Sequence, residues 1–126
     1  WRALGARVTR RTPAAHDEEV AWVSHLPHLV AFAFADALRA APTRVGELAG
    51  GGFRDFTRIA ASSPVMWRDI ALANRAALSA ELAGYRVMLD SLQRAIDAGD
   101  GARLAQVFDL ASRTRRATGS RGADSE

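Results

Sequence analysis

A chain of 126 residues with 48% apolar and 7% aromatic residues is one domain, or one domain with part of a neighbour, and its composition is not that of a disordered segment. It has no cysteine, which excludes disulfide frameworks, thiolate metal sites and a cysteine nucleophile; no apolar run approaches the roughly 20 residues of a bilayer span and no signal peptide is visible, so a cytoplasmic protein away from membranes is expected. The pI of 10.9 comes with a net charge of only +3, and all seventeen basic residues are arginines interspersed with acidic ones rather than the one-sided footprint of a nucleic-acid binder.

The first segment, Trp1 to Gly5, reads as the last turn of a helix with its glycine stop, and Ala6–Arg10 as a short strand. A helix end followed by a strand is the tail of an α/β unit, so residues 1–12 are expected to be the remnant of a nucleotide-binding domain lying upstream. His16-Asp17-Glu18-Glu19 then places acidic residues at a helix start, where the helix dipole favours them. Val20, Val23, Val30, Phe34 and Leu38 continue at helical spacing to about Ala41, ahead of Pro42. Pro27 interrupts this helix, removes one backbone donor and should kink it. Ser24, His25 and His28 surround the kink. Each histidine is either a partly buried side chain satisfied by a neighbour or a polar group aimed into a cleft at a strained point. A metal site from His25 and His28 is not expected, because no carboxylate stands at a supporting spacing.

Residues 43–49 read as one or two helical turns ended by Gly50, Gly51 and Gly52. The triple glycine is either a flexible cap or a place of close backbone approach to a ligand or partner chain. It is not a dinucleotide loop, since no strand precedes it and G-x-G-x-x-G is absent. Next come Phe53, Arg54, Asp55, Phe56 and Arg58. Helical spacing puts Arg54 and Arg58 on one side and leaves Asp55 within reach of Arg58. Arginines beside aromatics at a glycine-flanked helix start suit an anion site; the alternative is a surface helix with one weak ion pair. Ser63 and Pro64 mark the next helix start. Its pattern runs to Gly99, with Gly84 a candidate break. Asp100 can cap a last helix, and residues 113–126 have no apolar anchor and should be a disordered tail. The class is all-α, with a helical domain over 13–112. Its long apolar faces are expected to be covered in a homodimer.

Two motifs, HDEEVAWVSHLPH and GGGFRDFTRIAASSPVMWRDIALAN, at this separation, resemble the C-terminal helical dimerisation domain of the prephenate dehydrogenase family, which includes arogenate and cyclohexadienyl dehydrogenases. The resemblance covers about residues 1–112. It implies an enzyme with an N-terminal nucleotide-binding domain and an active site between the domains. There NAD or NADP oxidises prephenate with loss of CO₂, giving 4-hydroxyphenylpyruvate in tyrosine biosynthesis. It also implies that the general-base histidine lies in the other domain, so none of His16, His25 or His28 takes that role and no catalytic residue is expected here.

By the same resemblance, Arg58 binds a substrate carboxylate and His25 contacts substrate or tyrosine. Gly51 and Arg54 line the cleft near the dimer partner; lysine is common at the second position, so Arg54 is a departure. Asp55 and Trp67 stand near the cleft mouth. His16, Asp17, His28 and Pro27 support the helix start and kink. The chain alone is expected to bind no NAD and to turn over nothing. Prephenate against arogenate, NAD against NADP, and tyrosine feedback are left open. The competing readings are a helical module without chemistry, and an arginine-rich nucleic-acid binder.

Overall fold

The computed structural model describes residues 1–6, 8–41 and 45–123. Thr12 opens the first helix, α1 (Pro13–Val20), by accepting a hydrogen bond from the Ala15 amide at 3.2 Å, with Pro13 at the first helical position. The chain widens into a π-helical turn over Ala21–His25 and tightens again into α2 (Leu26–Ala37) and a 3-10 turn, Leu38–Ala40. A 3-10 turn at Val45–Leu48 precedes α3 (Gly51–Arg58), which runs into another at Ile59–Ala61. Ser63 caps α4 (Pro64–Ala73), as the Ser-Pro pair indicated. Then follow α5 (Arg75–Asp97) and α6 (Gly101–Ala123), the latter capped by Asp100 through the Arg103 amide at 2.9 Å. Between them the chain turns at Gly99, whose φ of 62° is a left-handed conformation that favours glycine. The protein is all-α, with no strand among the described residues.

The chain falls into two compact units, Trp1–Ala83 and Gly84–Glu126. In the first, the core is built from Ala21, Leu26, Ala31, Trp67 and Leu78, together with the polar Asn74. α3 and the turn after it pack on α2, where Phe34 meets Phe53 and Phe56 edge-on at 6.1 and 5.4 Å. Among the described residues of the second unit only Ala95 is buried, while Ile96 and Phe108 are 61% and 58% exposed.

Several expectations are corrected. Gly5 does end a helical turn with φ 79°, but Ala6 and Val8–Arg11 form no strand, because a lone extended segment has no partner for its backbone groups. Pro27 is accommodated by the π-turn just before it, where the Leu26 amide reaches back to the Ala21 carbonyl. The extra residue draws the preceding carbonyls away from the ring. The run Pro13–Ala40 is, by length and composition, apolar enough to cross a membrane; here it supplies the core positions Ala21, Leu26 and Ala31. The three glycines begin α3 rather than end a helix, and Thr43 and Arg44 of the preceding turn lie outside the described residues. The break in the 64–99 run falls at Asn74, and α5 passes straight through Gly84. Residues 113–123 continue α6 instead of forming a tail. Alanine and arginine favour helix, and Arg113 pairs with Asp109 one turn back at 2.7 Å.

Candidate functional site

The π-turn aims two histidines at one aromatic. His28 stacks on Trp67 with ring centroids 3.8 Å apart and planes 19° from parallel, and His25 meets the same indole edge-on at 6.1 Å. Trp67 is 7% exposed, and its Nε1–H is enclosed with no acceptor among the described residues. A buried indole N–H of this kind ordinarily finds a hydrogen-bond acceptor. Ser63 and Pro64 fix the start of α4, and Trp67 follows within its first turn.

Each histidine is held in one tautomer by its neighbours. His28 Nδ1 lies 2.8 Å from the Ser24 carbonyl, which can only accept, so that nitrogen carries the hydrogen. His25 Nδ1 lies 3.2 Å from Asn74 Nδ2, which can only donate, so here Nδ1 accepts and the hydrogen sits on Nε2. The same Asn74 amide donates to the Asp17 carbonyl at 2.7 Å, across 57 residues of sequence. Burial lowers the pKa of His25 below the usual histidine value; His16 and His28 push the same way, and Asp17 opposes.

Asn74 is the residue that sequence reasoning missed. It closes the second motif, yet no periodicity marks it. It sits at the break between α4 and α5 with φ −106° and ψ 33°, and it is only 9% exposed. A buried asparagine at a helix break is the signal that could have found it, since its amide must be satisfied by something.

The arginine group behaves differently. Arg54, Asp55 and Arg58 are exposed on α3. Arg54 Nη1 donates to the Ala49 carbonyl at 2.6 Å, tying the helix start to the turn before the glycines. Asp55 and Arg58, within reach of each other by helical spacing, form no ion pair, and Arg58 has no hydrogen-bond or ion-pair partner among the described residues. A Cβ built on Gly51 would meet nothing within 4 Å, so the space in front of the glycines is open in the single chain. No hydrogen bond, ion pair or ring contact joins the α3 group to the His25–His28–Trp67 cluster among the described residues.

Among the described residues two concavities flank the cluster, and Arg58 lines neither of them. A groove of about 580 Å³ is walled by Asp17, Glu18, Glu19 and Glu81 with Trp22 and alanines, and Asn74 reaches it. Glu19 is paired with Arg11 at 2.7 Å, and the remaining carboxylates leave the groove negative, a poor place for a dianion. A smaller apolar hollow of about 230 Å³ lies between Leu29, Phe32, Pro64, Trp67 and Arg68. Among the described residues no group of three or more His, Asp or Glu side chains is arranged to hold a metal. They also include no strand leading through glycines into a helix, the unit that cradles a dinucleotide pyrophosphate.

A proline-bearing helix with a π-turn, an aromatic-anchored helix and an arginine helix behind three glycines define an all-α module. Residues 12–110 match the family model described as the prephenate dehydrogenase dimerization domain. The chain is 34% identical over 121 residues to the cyclohexadienyl dehydrogenase of Zymomonas mobilis, covering 93% of this chain and 41% of that protein. It is 32% identical to the prephenate dehydrogenase of Bacillus subtilis, covering 87% and 30%. Among solved structures, prephenate dehydrogenase from A. aeolicus in complex with hydroxyphenyl propionate and NAD+ superposes with a TM-score of 0.85 at 36% identity, over 94% of this chain and 42% of that one. Synechocystis arogenate dehydrogenase superposes with a TM-score of 0.83 at 32% identity, over 93% and 44%. The chain therefore belongs to the prephenate dehydrogenase family, as its two motifs indicated, and spans less than half the length of these relatives.

Proposed function

We propose that this domain supplies substrate-carboxylate binding and dimerisation to a dehydrogenase that oxidises and decarboxylates prephenate, or its amino counterpart arogenate, in the cytoplasm. The observation that carries this is the match over residues 12–110, within which both motifs and the His25–Trp67–Asn74 corner fall. The solved relative with hydroxyphenyl propionate and NAD+ supports a hydroxyphenyl acid as ligand and NAD as oxidant, with NADP the alternative. In this reading the unpaired Arg58 guanidinium grips a carboxylate, and such a charge-assisted bond contributes about 1.5–3 kcal/mol. His25 offers its Nε2–H to a ligand oxygen. Gly51 and Arg54 border the cleft, where the arginine in place of lysine keeps the charge. Asp55 and Trp67 stand at its mouth. The open apolar surfaces of Ile96 and Phe108 suit a homodimer contact. The dinucleotide is held elsewhere, so the 126-residue chain alone binds no NAD and is inactive; tyrosine acts, if at all, by occupying the same cleft.

Steady-state assays of the full-length protein with prephenate and arogenate, each with NAD and NADP, test this directly. Oxidation of one substrate with release of CO₂ is expected. No turnover with any of the four combinations would overturn it.

A further inference from the structure

We propose that Asn74 is a positioning residue that fixes which nitrogen of His25 carries the hydrogen, so that His25 meets its ligand as a neutral Nε2–H donor. This rests on the reading in which His25 contacts substrate; the tautomer itself does not. Both hydrogens of the Asn74 amide are committed, one to the Asp17 carbonyl at 2.7 Å and one to His25 Nδ1 at 3.2 Å. The Asp17 carbonyl, which can only accept, fixes the orientation of the amide: turned over, the amide oxygen would face it acceptor against acceptor. The Asp17 carbonyl also accepts the Ala21 amide, so α1, the π-turn and the helix break are tied at one atom.

A proton on His25 Nδ1 would face the Asn74 NH₂ group, donor against donor. The amide therefore disfavours the imidazolium as well as the other tautomer. The groups around the ring act on its proton in both directions. His16 on α1 and His28 on α2 oppose the charge, while Asp17 on α1 favours it. Trp67 and Asn74, from the other side, carry none. A neutral donor keeps the same hydrogen-bond character as pH falls through the ordinary histidine range, and it leaves recognition of negative charge to arginine. The two histidines are then complementary. His28 carries hydrogen on Nδ1, whereas His25 carries it on Nε2.

Nitrogen-15 NMR of the labelled 126-residue chain tests the assignment without any variant. His25 should show a bare Nδ1 and a protonated Nε2 from about pH 6 to 8, with a titration midpoint below the ordinary histidine value. In Asn74→Asp the new carboxylate faces Nδ1, so the hydrogen should move there and proton affinity should rise about tenfold or more. Asn74→Ser, which cannot span the same gap, should give a mixed tautomer and serves if the aspartate variant does not fold. A wild-type spectrum with hydrogen on Nδ1, or an Asn74→Asp protein with unchanged tautomer and midpoint, overturns the proposal. In the full-length protein, Asn74→Asp should make KM vary with pH between about 6 and 8 where the parent is flat. A locked tautomer in a protein that oxidises neither substrate would sink the functional reading alone; a shifted tautomer with unchanged KM would sink the positioning role alone.

Discussion

The histidine corner and the arginine helix carry the two groups proposed to touch substrate, and the chain prepares them in opposite ways. At the corner, each ring is stacked or edge-packed on Trp67 and has one nitrogen occupied by the protein. On α3, the aromatics are spent on holding the helix to α2 through Phe34, and Arg58 is left unpaired in solvent. A preorganised donor loses little freedom on binding, whereas a free arginine must be ordered by its ligand. The corner should therefore govern stability and the direction of approach. The arginine should govern affinity for charge and contribute almost nothing to folding.

The widest separation of these roles is expected from Trp67→Ala. Emptying a nearly filled aromatic site and unstacking His28 should cost about 3–5 kcal/mol in urea unfolding at fixed protein concentration. A cost below about 1 kcal/mol would show that the corner does not carry the fold. Arg58→Ala should do the reverse. KM in the full-length protein should rise roughly 10- to 150-fold, the equivalent of 1.5–3 kcal/mol, while stability stays within about 0.5 kcal/mol. An unchanged KM removes the arginine from the site. Ser63→Ala, which uncaps the helix carrying Trp67, should cost about 1 kcal/mol, with little effect on KM.

The smallest effect is the pH dependence of stability. Folding lowers the pKa of His25, so the unfolded chain binds the proton more readily. The contribution is present above the ordinary value near 6.5, is lost as pH falls through it, and levels off below the folded value. The urea midpoint of the parent should drop between pH 7.5 and 5.5, and that of His25→Gln should drop less. Equal slopes in the two proteins would assign the acid sensitivity to other groups.

What could be read from the chain was local. Ser63-Pro64 and Asp100 announce helix starts through chemistry within three residues, and the structure uses both. Pro27 announced a disturbance in the first long helix. It did not announce its form, because a bend and a widened turn both relieve the missing donor. Asn74 was not legible as a site residue, since its partners Asp17 and His25 lie 57 and 49 positions away. Gly84 shows the converse. Its low helix propensity suggested a break, but the cost of about 1 kcal/mol is too small to interrupt a 23-residue helix.

The turn over Ala21–His25 also sets the angular phase of everything before it. A π-turn carries one residue more than the α-helix needs, and each α-helical residue advances the chain by about 100°. An extra residue inserted into a regular helix would swing α1 roughly that far around its axis; here the wider turn absorbs it, and the Asp17 carbonyl keeps its place beside Asn74. The domain thus takes up one residue of added length at a single point.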